Sequence, residues 1–203
     1  MQEFDYSLVM HKKRVVFFDG DGIIWYPRGR KKETPPYLIY RKYKKERDYL
    51  PRLKLAYGIV KTLKKLKKEG KTLILISTMP YDSVKANKLL DNKIRYFKLD
   101  NIFHEWYAIE NIQEAKGLFM VELLKEKNIL KKHALIVGDS YRYDYLSAKK
   151  VNIEALLLEN PYTKIFPKAK NIKTIKNITE LGGCIKIGED DWSKYPLGMK
   201  RNL

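Results

Sequence analysis

A chain of 203 residues is long enough for one domain with a full core, and 44% apolar with 33% charged residues excludes a disordered polypeptide. No apolar run is long enough to cross a bilayer, and the first residues lack the apolar stretch of a secretory signal. The single cysteine, Cys184, excludes an internal disulfide and a thiolate zinc site, so the expected location is the cytoplasm. Lysine and arginine total 42 against 24 acids, and the net charge of +18 suits polyanionic partners such as nucleic acid or phosphorylated molecules. The same lysine-rich, glutamine-poor composition also suits adaptation to heat.

Residues 1–13 read as a polar arm packed by Leu8 and Val9. A buried strand is predicted over 14–18, and it runs directly into Asp19-Gly20-Asp21-Gly22. Open α/β sheets place their chemistry outside the carboxyl ends of strands, where these two acids stand. Residues 26–53 interrupt the pattern with four prolines and ten bases against three acids, interleaved with Tyr37, Tyr40, Tyr43 and Tyr49. Bases among aromatic rings can clamp a nucleic-acid strand. The favoured reading is plainer: a solvated loop or short helix whose tyrosines pack on the core, too short to be a domain.

Leu55, Ile59, Val60, Leu63 and Leu66 predict a helix over 53–69, closed by Gly70. A second buried strand is predicted over 72–76, ending at Ser77-Thr78. Gly70-Lys71-Thr72 is not a phosphate-binding loop, because it precedes a strand and lacks the first glycine. A helix over 83–91 and a third strand over 105–109 follow. Lys116 opens an amphipathic helix. The fourth strand, 134–137, ends in Gly138-Asp139-Ser140, with Asp144 beyond. The next helix is expected to start at Tyr145, and a fifth strand to span 154–158. The tail, 183–203, offers an edge strand at 185–187 and two aromatics, Trp192 and Tyr195, with no periodicity. Strands alternating with helices predict a single Rossmann-like α/β domain with a mostly parallel sheet, its core over about 14–182.

In a parallel sheet all strand exits share one edge, so Asp19, Asp21, Ser77, Asp139 and Asp144 can converge, with Lys116 leading toward them. Several carboxylates at one point need a compensating cation. Oxygen ligands without histidine or thiol favour magnesium over zinc. A lysine and a hydroxyl beside such a cluster suit a phosphate.

In order and spacing, VVFFDGDG, LILIS, Lys116 and LIVGDSYRYD resemble the four motifs of the haloacid dehalogenase superfamily of phosphotransferases. The resemblance covers roughly residues 14–158 and implies a magnesium-dependent phosphatase working on a phosphomonoester through an aspartyl-phosphate. It implies Asp19 as nucleophile and Asp21 as the acid that protonates the leaving group and then activates water. Ser77 or Thr78, with Lys116, is implied to hold the phosphoryl oxygens. Magnesium is implied on Asp19, the main-chain carbonyl of Asp21 and Asp139, with Asp144 in support. Lys116 is taken over Lys93 and Lys98 because it opens the helix before the fourth strand. Ile23 and Thr78 depart from the residues commonest in that family at their positions.

The short insertion implies a minimal cap and an open site. Trp25, shortly after the paired acids, is similar to the small magnesium-dependent phosphatases of the superfamily. The basic stretch would suit its polynucleotide 3′-phosphatases. A further alternative is a catalytically silent nucleic-acid binder on the same fold. Gly138-Asp139-Ser140 also matches the start of a serine-esterase pattern, which fails because no histidine follows Ser140. Neither substrate nor oligomeric state is legible at this level.

Overall fold

The computed structural model describes residues 10–28, 36–43, 45–110, 112, 115–160 and 172–182. Its centre is a six-stranded sheet whose named pairs are all parallel, built from β1 (Val15–Phe18), β4 (Thr72–Met79), β5 (Glu105–Glu110), β6 (Ala134–Gly138), β7 (Glu154–Leu158) and β8 (Thr174–Ile175). The strand order is β5-β4-β1-β6-β7-β8. The central strands β1 and β6 are apolar and buried throughout because both faces of the sheet are covered there.

Alternate residues of β1 enter different cores. Val16 and Phe18 join Ile59, Leu63 and Leu66 of α3 (Ile59–Lys68) and Ala86, Leu90 and Ile94 of α4 (Ser83–Tyr96). Val15 and Phe17 join Met120, Leu123 and Leu124 of α5 (Ala115–Glu126) and Ala148 of α6 (Ser147–Lys150). The fold is therefore a three-layer α/β/α sandwich of Rossmann-like type. Among the described residues, no helix is long and apolar enough to cross a membrane.

The insertion is closed at its base by an antiparallel ribbon of β2 (Trp25–Pro27) and β3 (Leu53–Leu55), and carries α1 (Tyr37–Lys42) and α2 (Glu46–Tyr49) between them. Tyr40, Tyr43 and Tyr49 pack on the core, while Arg41, Lys42, Arg47 and Arg52 face solvent.

Several predicted boundaries move. Leu53 and Leu55 belong to a strand, and the helix expected over 53–69 begins only at Ile59. Leu-Lys-Leu has period two, and pairing with Trp25–Pro27 decides its conformation. The strand expected to stop at Ile76 continues to Met79, so Ser77 and Thr78 lie within β4, paired with Ala108 and Ile109 of β5. The helix expected over 83–91 runs to Tyr96. The helix expected to start at Tyr145 begins at Ser147, because Tyr145 and Leu146 belong to a π-helical turn, Tyr141–Leu146. One edge of the sheet is β5; the other is β8, which sequence patterning did not reveal. Leu8, Val9 and the proposed strand at 185–187 lie outside the described residues.

Candidate active site

After β1 the chain adds β4 and β5 to one side of it, then returns to add β6, β7 and β8 to the other. The winding thus reverses at β1, and such a switch point opens a crevice at the carboxyl ends of the strands. Asp19 leaves β1 at that point, its N–H donating to the Val137 carbonyl at 2.9 Å. The chain then turns back through Gly22, whose φ of 86° suits glycine.

Asp139 leaves the adjacent end of β6. Asp144 is returned to the same place by the π-helical turn, a conformation frequent at functional sites. Ser140 starts this turn: its Oγ accepts from the Tyr143 N–H at 3.1 Å, and its own N–H donates to Asp144 Oδ2 at 2.9 Å. Gly138 makes the approach possible, since a Cβ there would lie 2.2 Å from the Asp144 carboxyl carbon.

One oxygen from each of Asp19, Asp139 and Asp144 lies within 4.8 Å of the others. Lys116, 1% exposed at the start of α5, donates from Nζ to Asp19 Oδ1 at 2.7 Å and to Asp144 Oδ1 at 2.5 Å. Burial pushes the Asp19 carboxyl up to about 7; Lys116 opposes this, while the charges of Asp144 and Asp21 add to it. Burial alone would lower the Lys116 ammonium, but the charges of Asp144 and Asp19, and their hydrogen bonds, hold it above the usual lysine range. Three carboxylates against one ammonium leave excess negative charge in a buried place. An all-oxygen donor set without histidine or thiol fits a hard divalent cation such as magnesium.

The Asp21 side chain stands apart from this group. Its Oδ1 accepts from Trp25 Nε1 at 2.5 Å, the Tyr40 hydroxyl at 2.6 Å and Lys93 Nζ at 3.4 Å. Ser77 is 2% exposed, with Oγ 3.4 Å from where a Cβ on Gly20 would sit, and among the described residues its hydroxyl makes no hydrogen bond. Thr78, half-buried, points to the opposite face of β4. Asn160 Nδ2 donates to Asp139 Oδ2 at 3.2 Å and to the Gly22 carbonyl at 3.3 Å, tying the two acidic loops together.

A family model described as haloacid dehalogenase-like hydrolase matches residues 4–158, and so contains every one of these acids and Lys116. The chain belongs to this family. Solved structures of haloacid dehalogenase-like proteins share its fold. A HAD phosphatase from Thermococcus onnurineus has a TM-score of 0.60 and 17% identity, over 83% of this chain and 95% of that one. A haloacid dehalogenase-like family hydrolase from Xanthomonas campestris has a TM-score of 0.59 and 11% identity, over 84% and 93%. A predicted phosphoglycolate phosphatase from Haemophilus somnus has a TM-score of 0.60 and 15% identity, over 84% and 96%. No curated protein matches the chain.

In this haloacid dehalogenase-like hydrolase, sequence reasoning weighed Lys93 only against Lys116, named Tyr40 only among tyrosines packing on the core, and did not reach Asn160. Lys93 carried a usable signal. It falls on the apolar stripe of α4 marked by Ala86, Leu90 and Ile94, where a lysine is out of place unless something buried needs it. Tyr40 and Asn160 gave none, because their partners lie 19 and 21 residues away.

Proposed function

We propose that this haloacid dehalogenase-like hydrolase is a magnesium-dependent phosphatase of the minimal-cap type, cleaving a phosphomonoester through an aspartyl-phosphate on Asp19. The observation that carries the reading is Lys116 buried between Asp19 and Asp144, with Asp139 beside them, at the switch point of the sheet. A carboxylate is a competent nucleophile toward phosphorus once the negative charge around it is offset.

Asp19 attacks phosphorus through a carboxylate oxygen, and the bond from phosphorus to the alcohol oxygen breaks. Asp21 gives that oxygen its proton. In the second half, Asp21 takes a proton from water, the water oxygen bonds to phosphorus, and the bond to Asp19 breaks, releasing inorganic phosphate. Lys116 holds Asp19 in place and offsets charge on the transferring group. Ser77 is the better-placed hydroxyl for a phosphoryl oxygen, being buried beside Gly20 with no competing partner among the described residues. Asp19 and Asp139, with the Asp21 carbonyl and Asp144 in support, would hold the magnesium ion. When bound, the ion supplies positive charge that lets nucleophile and phosphate approach.

Wild-type protein is expected to release phosphate from p-nitrophenyl phosphate with magnesium and to stop when the ion is chelated. Asp19→Asn is expected to lower the rate at least about a thousandfold, since the nucleophile itself is removed. A wild type that stays silent with magnesium across neutral pH, while binding RNA with a steep salt dependence, would identify a nucleic-acid binder instead.

A further inference from the structure

We infer that Tyr40 and Lys93 are positioning residues for Asp21, and that with Trp25 they determine which of its oxygens carries the proton to the leaving group. The inference rests on the phosphatase reading above and adds to it a part played by the insertion and by α4.

All three donors converge on one atom. Trp25 Nε1, the Tyr40 hydroxyl and Lys93 Nζ reach Asp21 Oδ1 at 2.5, 2.6 and 3.4 Å, while Oδ2 accepts no hydrogen bond among the described residues. An oxygen facing three donors cannot itself carry a proton, so the protonated form of Asp21 bears it on Oδ2. Rotating the carboxyl would break every one of these bonds.

The donors are themselves ordered. Lys93 Nζ donates to the Tyr40 oxygen at 2.9 Å, which directs the phenol's own proton toward Asp21. Burial first, then the Asp21 charge, holds the Tyr40 hydroxyl well above its usual range, so it stays a donor. Lys93 is 3% exposed, and its ammonium lies 4.2 Å from the Tyr40 ring centroid and 5.3 Å from that of Trp25. Burying an ammonium is costly, yet among the described residues the polar and ring contacts of the Lys93 ammonium are with Asp21 or with a ring that hydrogen-bonds Asp21. Packing alone would be met by an apolar residue, as at Leu90 and Ile94 on the same face. Tyr40 comes from α1, so the insertion completes the acid group as well as bordering it.

The test compares two esters by kcat/KM, which reports the step that expels the alcohol. Ethyl phosphate leaves as a poor group and needs the proton; 2,4-dinitrophenyl phosphate leaves as a good one and does not. Tyr40→Phe and Lys93→Met are each expected to lower kcat/KM for ethyl phosphate by about tenfold or more and for the activated ester by less than about threefold, within the range general acids contribute. Tyr40→Phe keeps the edge-on contact with Tyr49 (centroids 5.0 Å apart) and so carries the comparison alone if Lys93→Met does not fold. Equal losses on both esters, or no loss on either, would overturn the inference while leaving the phosphatase reading intact. A wild type that cleaves neither ester would overturn the phosphatase reading itself.

Discussion

Asp19 is pulled two ways. Its proposed chemistry needs a carboxylate, while burial raises its carboxyl to about 7, against the pull of Lys116. Near neutral pH part of the cation-free protein then carries a proton there, and a bound cation favours the ionised form. Magnesium binding near neutral pH is therefore expected to release a fraction of a proton per chain, falling toward zero as the pH rises. Calorimetry in two buffers of different ionisation enthalpy measures this directly; release that does not change with pH would contradict it. Lys116 and Lys93 make the complementary point about lysines. Both are almost fully buried and both bind one of the paired acids after β1, Lys116 binding Asp19 and Lys93 binding Asp21.

At the scale of elements, charged contacts also tie the strands together at the edge far from Asp19, Asp139 and Asp144. Glu154 opens β7 and accepts from Lys13 at 2.8 Å and from Lys173, just before β8, at 2.6 Å. One carboxylate thus joins the segment before β1 to the far side of the sheet. Burial would raise the Glu154 carboxyl, but its hydrogen bonds to Lys13 and Lys173, and their charges, lower it below its usual range. A lowered acid stabilises the fold above its unfolded-state value and loses that contribution as pH falls through the folded one. Glu154→Gln is expected to cost about 1 kcal/mol at neutral pH, between the worth of exposed and buried pairs. Thermal melts should show the gap to wild type narrowing once pH drops below about 4.3. A gap unchanged down to strongly acidic pH would mean that packing, not charge, is responsible.

For the whole molecule, the decisive feature is that β1 lies between β4 and β6. The register sets Phe18 level with Leu75 and Val137, so the exits of β1 and β6 fall side by side. Acids 120 residues apart in sequence then share one charge problem, and a cation that binds them stabilises only the folded chain. At ten times its dissociation constant, magnesium is expected to add about 1.4 kcal/mol. For a chain of this size that is a rise of about 3–6 °C in Tm over chelated protein. Asp139→Asn should abolish most of the rise, whereas sodium at equal ionic strength should give none. An equal rise in the variant would place the ion elsewhere.

Much of this architecture could be read from residues alone. Short apolar runs at 15–18, 73–76, 134–137 and 155–158, bounded by turn signals, read as strands covered on both faces, and parallel strands send Asp19, Asp139 and Asp144 to one edge. Local order fails where two periods overlap, as at Leu53-Lys54-Leu55, which reads as the start of a helix until Trp25–Pro27 pairs with it. It fails more completely for Asp21, whose partners come from β2, α1 and α4. Hydrophobic patterning reports which face of an element is buried. It does not report which distant side chain will meet it there. Only the tertiary structure decides that Tyr40 and Lys93 meet at Asp21, because contact between segments 53 residues apart depends on how whole layers pack.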